Sequence, residues 1–354
     1  MKSAPITAVV LALLVGACGA APPRAASGET ASAVPAGPSG PADPRFDAVL
    51  SGFAYPYPVQ TFEVRAQEQT LHMAYMDVKP GKKQQNGKTV VLLHGKNFGA
   101  FYWKRTIELL VGQGYRVVAP DQIGFGKSDK PAHFQYSFHG LASYTRALLG
   151  SLGIAKASVI GHSMGGMLAV RSALMFPEQT ERLVLVNPIG LEDWRPVVPY
   201  RSVDAWYASE RASTPEKIRE YQRKSYYGGE WKPAYEALIE PAAGQTRQPD
   251  YPRVAWASAL TYEMIYTQPV VYELPNVRAS TLLVIGQRDR TALGRDTVSP
   301  EVAETLGRYP ELGKKAQAAI PGAKLVEIEG AGHLPQVEAW DAYARALLEF
   351  FATP

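Results

Sequence analysis

The chain has 354 residues, 46% hydrophobic and 20% charged, which is enough apolar material for one large core and a small second unit. Lys and Arg number 37 against 33 acids, but no run of five or six like charges occurs, and this excludes nucleic-acid binding. A single cysteine excludes an intrachain disulfide, so stability must come from the core.

The first stretch, MKSAPITAVVLALLVGAC, places Lys2 before an apolar run from Ile6 to Ala17, well short of the ~20 residues a membrane-spanning helix needs. Residues 1–18 are therefore expected to be an export signal. LLVGAC, ending at Cys18, resembles the lipobox of bacterial lipoproteins, whose cysteine receives a lipid and becomes the new N-terminus. That implies a bacterial cell-envelope protein with the lipid bilayer as partner; an ordinary signal cleaved near Ala20 or Ala21, giving a periplasmic or secreted chain, is the alternative. Residues 19–45 are Ala, Pro, Gly and Ser with almost no large apolar side chain, a composition expected to form a flexible tether.

The globular pattern begins at Phe46. TFEVRA and TLHMAYMDV alternate like the strands of a hairpin, and TVVLLHG, YRVVAP, ASVIG, RLVLVN, STLLVIG and AKLVEIE read as strands buried on both faces. YWKRTIELLVGQG, FHGLASYTRALLGSLG, MGGMLAVRSALMFP and PQVEAWDAYARALLEFF carry helical patterns between or after them. Such alternation implies an α/β fold, a mostly parallel sheet flanked by helices. Between Asn187 and Ser280 lie about 90 residues, where strand-to-helix connections usually take ~2 to 6. The expected organisation is a core over residues 46–190 and 277–354 with a helical cap inserted at 191–276. Prolines 215, 233, 241, 249 and 252 are expected to break that cap, whose aromatics are all Tyr and Trp.

VIGHSMGG sets Ser163 between a buried strand and a helix. A hydroxyl is a poor nucleophile until it is held in the open beside a base, and a sharp strand-to-helix turn holds it so. That turn tolerates only small residues two before and two after; Gly161 and Gly165 stand there, and Gly166 allows close packing of the new helix.

From this motif onward the chain resembles the α/β-hydrolase family over roughly residues 60 to 351. The resemblance implies an order of nucleophile, acid and histidine, with the last two after late strands. Asp289 follows STLLVIG and His333 follows AKLVEIE, so Ser163, Asp289 and His333 are the expected triad. His72 sits on an early strand, His133 and His139 are read as loop residues, and His94 and His162 belong to neighbouring loops. Some relatives carry the acid after the preceding strand, where Asn187 stands. The oxyanion donors implied are the backbone N–H groups of Met164 and Lys96, with the Lys96 side chain expected to reach solvent. Asn97, Phe98, His162, Trp194 and Leu334 are assigned to the substrate pocket, and Asp121 in DQIGFGKSDKP to bracing its loop.

A serine at the elbow departs from haloalkane dehalogenases and epoxide hydrolases, which use a carboxylate there. HGKNFG departs from the HGGPG of proline iminopeptidases. Carbon–carbon bond hydrolases keep the triad but typically show tryptophan after the histidine, where this chain has Leu334. The expected function is hydrolysis of a carboxylic ester or lactone with a partly apolar acyl group, through an acyl-enzyme on Ser163. A carbon–carbon bond hydrolase, a cofactor-free perhydrolase or haloperoxidase, and a non-catalytic binding protein are the alternatives. With no H-E-x-x-H and no Cys/His cluster, neither metal nor cofactor is expected; no protein partner can be named.

Overall fold

Branched apolar runs build the sheet. The structure is a computed structural model that describes residues 42–352. The export segment, Cys18 and the tether as far as residue 41 lie outside the described residues. The strands are β1 (Val59–Ala66), β2 (Gln69–Val78), β3 (Thr89–Leu93), β4 (Arg116–Pro120), β5 (Ala157–His162), β6 (Thr180–Val186), β7 (Ser280–Gly286) and β8 (Lys324–Ile328). They form one sheet in the order β1-β2-β4-β3-β5-β6-β7-β8. The β1–β2 and β2–β4 pairs are antiparallel and the rest parallel.

In chain order the helices are α1 (Lys104–Gly112), α2 (Phe138–Ser151), α3 (Met164–Met175), α4 (Val203–Arg211), α5 (Pro215–Ser225), α6 (Glu236–Gln245), α7 (Tyr251–Thr267), α8 (Pro300–Thr305), α9 (Tyr309–Ala319), α10 (Pro335–Glu338) and α11 (Trp340–Ala352). Successive strand residues point to opposite faces, and the sheet sorts them accordingly. Val91, Leu93 and Leu185 pack with α2, α3 and α9 on one side. Val90, Leu92 and Val184 pack with α1 and α11 on the other. Both faces are dry, which is why the central strands read as continuous apolar runs. His139, expected in a loop, lies in the first turn of α2.

The long interval folds as α4 to α7, between β6 and β7. Pro215 and Pro252 open α5 and α7 rather than breaking them, because the first helical N–H groups have no partner to lose. Pro241 sits inside α6.

Residues just before 46 already pack on the fold. The Asp43 N–H donates to Gln248 (2.9 Å) and the Ala48 N–H to the Asp250 carboxylate (2.7 Å). Phe46 is buried against Gly244, so close that a Cβ there would overlap the ring. Residues 43–45, read as tether, are therefore tied to the inserted helices. The last expected helix is interrupted at Ala339, between α10 and α11.

Candidate active site

β5 aims straight at the elbow. Ser163 takes φ 57°, ψ −122°, a left-handed conformation costly for a residue with a side chain, and α3 starts at the next residue. The turn is clamped: the Ser163 N–H donates to the Val186 carbonyl (3.2 Å), and the Ser163 carbonyl accepts from Gly166 (2.8 Å) and Ile189 (3.2 Å). A Cβ at Gly161 would overlap the Gly165 carbonyl, one at Gly165 the Leu93 carbonyl, and one at Gly166 the Pro188 ring. Close backbone approach, more than backbone flexibility, requires those three glycines.

β7 and β8 deliver the other two groups. Asp289 and His333 are both fully buried, with His333 Nδ1 2.6 Å from Asp289 Oδ2. The carboxylate can only accept, so Nδ1 carries the proton and Nε2 has its lone pair free; Nε2 is buried and has no hydrogen-bond partner. Asp289 also accepts from the Thr291 N–H (2.8 Å) and from Asn187 Nδ2 (2.8 Å). Asn187 in turn accepts from the Gly286 N–H (2.8 Å), pinning the end of β7.

The histidine loop is held from three sides. The His333 N–H donates to the Tyr226 carbonyl (2.8 Å), and the Tyr226 ring stacks on the imidazole, centroids 4.4 Å apart. The Glu338 carboxylate accepts from the N–H groups of Gly332 and Leu334, each at 3.1 Å. Burial pushes the Glu338 carboxyl upward, opposed by those two N–H groups. The third support is His162: its Nε2 donates to the His333 carbonyl (2.9 Å), while its Nδ1 accepts from Tyr102 Oη (2.9 Å).

Five residues assigned to the pocket divide by position. Asn97 and Phe98 line a cavity of about 450 Å³. His162 does not, because both ring nitrogens are spent bracing the site and burial holds it neutral, well below the usual histidine range. Trp194 is buried with its Nε1 on Glu192 (3.1 Å), and Leu334 is fully buried in the core beneath the loop. Asp121 braces its loop as expected, accepting from Ala100 N (2.6 Å), Lys127 N (2.8 Å) and Tyr55 Oη (2.7 Å).

At the oxyanion position, Met164 is the first residue of α3, and the first N–H groups of a helix lack helical acceptors. Gly95 lies so near that a Cβ there would stand 3.1 Å from Ser163 Cβ, which brings the following residue, Lys96, beside the nucleophile. His94 holds this loop: its Nε2 accepts from the Gln122 N–H (3.1 Å), so its Nδ1 donates to the Gly95 carbonyl (2.9 Å).

The Lys96 side chain is half-buried and turns to α7 instead of standing free in solvent. Its Nζ donates to Ser258 Oγ (2.6 Å) and lies 3.4 Å from the centre of the Tyr262 ring, both on α7, at the cavity wall. Burial lowers its pKa to about 8, opposed by Glu210. No local pattern around residue 96 announces this, because its partners lie some 160 residues away. Tyr226, Glu338 and Asn187 were likewise missed as supports; only Asn187 had a signal, an amide at the strand end where an acid can stand.

Ser163 and His333 are not among the cavity's lining residues. Tyr226 stands between: its ring covers His333, and its hydroxyl accepts from Asn97 Nδ2 (2.7 Å) on the cavity side.

Residues 90–346 match the alpha/beta hydrolase family. The chain is 26% identical over 280 residues to a 2-hydroxy-6-oxo-2,4-heptadienoate hydrolase of Pseudomonas putida, covering 75% of this chain and 90% of the relative. It is 28% identical over 272 residues to a 2-hydroxy-6-oxo-6-phenylhexa-2,4-dienoate hydrolase of Burkholderia cepacia, covering 75% and 88%. Among solved structures it is similar to a probable hydrolytic enzyme of Pseudomonas aeruginosa PAO1, with 54% identity, TM-score 0.85, and 87% and 98% coverage.

Proposed function

The chain belongs to the alpha/beta hydrolase family, and on that premise we propose that it is a serine hydrolase of carboxylic esters or lactones, with Ser163, His333 and Asp289 as its triad. One observation carries the reading: the Asp289–His333 bond, which leaves Nε2 as the only basic position of a fully buried ring. In the reaction, His333 Nε2 takes the Ser163 proton as Oγ bonds to the acyl carbon. The oxyanion is met by the N–H groups of Met164 and Lys96. The C–O bond then breaks, the leaving oxygen takes the proton from His333, and a water activated by the same nitrogen splits the acyl-enzyme to the free acid. Asp289 stabilises the imidazolium without becoming protonated.

The inserted helices act as a cap, with the cavity under them taking the acyl group. The Asn97–Tyr226 contact lies between this cavity and the Ser163–His333 pair. A second reading, carbon–carbon bond hydrolysis, is favoured by the likeness to the two dienoate hydrolases of Pseudomonas putida and Burkholderia cepacia.

The test is hydrolysis of p-nitrophenyl esters by the full chain and by Ser163→Ala, with a 2-hydroxy-6-oxo-dienoate in parallel. Ester turnover that falls at least ~1000-fold in the variant is expected. Turnover of the dienoate alone would transfer the proposal to the second reading, and ester turnover equal in both proteins would remove Ser163 as nucleophile.

A further inference from the structure

Lys96 stands at the junction of two regions. Its backbone belongs to the loop beside Ser163, and its ammonium lies at the wall of the cavity under α7. An ammonium has three N–H donors. Ser258 Oγ accepts one, and no other acceptor binds Nζ among the described residues. The neighbouring carboxylate, Glu210, is reached only through Ser258, whose hydroxyl donates to Glu210 Oε2 (2.6 Å). The cation is thus held by a hydroxyl and a ring face, with no anion in direct contact.

The rest of the cavity has the same bias. Lys130, Arg201 and Lys217 line it beside Lys96, against Glu210 and Asp296. Each of the three spends hydrogen bonds on neutral carbonyls: Lys130 on Gly126 (2.8 Å) and Ser128 (3.2 Å), Arg201 on Ala205 (2.9 Å), Lys217 on Ala212 (2.7 Å). Four basic residues line the cavity against two acidic ones, and Lys96 among them lacks a direct counter-ion, which makes the site complementary to an anion. The Tyr262 ring and Trp206, stacked on it at 4.2 Å, supply an apolar wall for a short hydrocarbon spacer.

We propose that Lys96 Nζ anchors a free carboxylate carried by the acyl group of the substrate, so that the preferred substrates are half-esters, or lactones opening to acids with a second carboxylate. The proposal rests on the hydrolase reading above, with the acyl group in this cavity. A carboxylate held by an ammonium forms a charge-assisted hydrogen bond, stronger than a neutral one. It would also fix the distance between the anchored end and the carbonyl presented at the Lys96 N–H, which discriminates by spacer length.

The experiment compares kcat/KM of the full chain for p-nitrophenyl hemiglutarate and the neutral p-nitrophenyl valerate. The wild type is expected to favour the hemiglutarate by about tenfold or more. Lys96→Met should erase that preference, and Glu210→Gln, which removes the competing negative charge, should increase it. A lysine with only a structural role would move both substrates together and leave the ratio unchanged. A wild-type ratio near one, or a ratio indifferent to Lys96→Met, overturns the proposal. If neither ester is cleaved, the hydrolase reading fails separately, and glutarate binding to the full chain, read by tryptophan fluorescence, decides. Binding weakened by Lys96→Met and tightened by Glu210→Gln sustains the anion site; binding absent or equal in all three proteins overturns it.

Discussion

Asn187 shows how much a single amide can carry in this site. Its backbone takes φ 37° at the end of β6, its Nδ2 donates to Asp289, and its Oδ1 accepts the Gly286 N–H. Replacing it by alanine strands a buried N–H and removes one of the donors that hold the Asp289 carboxylate against the imidazole. The cost of such an orphaned group is roughly 1–3 kcal/mol. Asn187→Ala is therefore expected to lower stability by about that amount in urea denaturation, and to reduce kcat about tenfold or more with little change in KM, since nothing on the cavity wall moves. An unchanged kcat would show that Asp289 needs no help from β6. Sequence reasoning saw this position only as a missing acid; the hydrogen bonds that give it a role join residues 99 and 102 apart in the chain.

At the scale of elements, the elbow is the most constrained piece. Gly165 lies in the first turn of α3, under the backbone of β3's last residue, and a Cβ there would overlap the Leu93 carbonyl and crowd that of His94. Backbone cannot step aside as a flexible side chain can. Gly165→Ala should cost more than the usual 0.5–3 kcal/mol of a point substitution and displace the helix start that carries the Met164 N–H. Thermal denaturation should show a large fall in Tm, with activity lost in the folded fraction; a near-native Tm with full activity would contradict the packing described.

The same element explains what could be read in advance. Strand runs and the glycine spacing are local, so the sheet, its helices and the turn at Ser163 follow from short stretches of chain, whereas the order Ser163, Asp289, His333 is what the resemblance to the α/β-hydrolase family implies. Three features escape such reading, and each is tertiary. The cavity wall joins the loop at Lys96 to α4 and α7, more than 100 residues on. Residues 43–48 are tied down by Gln248 and Asp250, more than 200 residues on, and by Phe46 packed against Gly244. The interruption at Ala339 adjoins Glu338, whose carboxylate is turned back onto the histidine loop. Trp194 and Leu334, assigned to the pocket on character and adjacency, are instead buried in the core on opposite faces of the sheet.

For the molecule as a whole, the buried lysines set how stability depends on pH. Burial lowers Lys96 to about 8, opposed by Glu210 on α4. It lowers Lys130 to about 7, opposed by Asp121, Asp129 and Asp47 and reinforced by Arg253. In the unfolded chain both return to the ordinary value of 10.5. Between about 7 and 10.5 the unfolded state therefore binds more protons than the folded state, and where that holds, stability rises with pH. His94 and His162, lowered by burial, act with the same sign at lower pH. The tyrosines act in reverse: burial keeps Tyr226 and Tyr309 protonated well above their usual value of 10.0, so above that pH the unfolded chain sheds protons that the folded one retains. Stability should accordingly climb from pH 7 to a maximum in the 9–10 range and fall beyond it, alkaline of the more common optimum between ~5 and 8. Urea midpoints at pH 7, 9 and 11 would trace the curve, and Lys130→Met should flatten its rising limb, since the proton taken up on unfolding there is removed. A midpoint that falls steadily from pH 7 to 9 would mean that these two ammonium groups are not confined as the fold places them, with Lys96 open to water in place of the cavity wall.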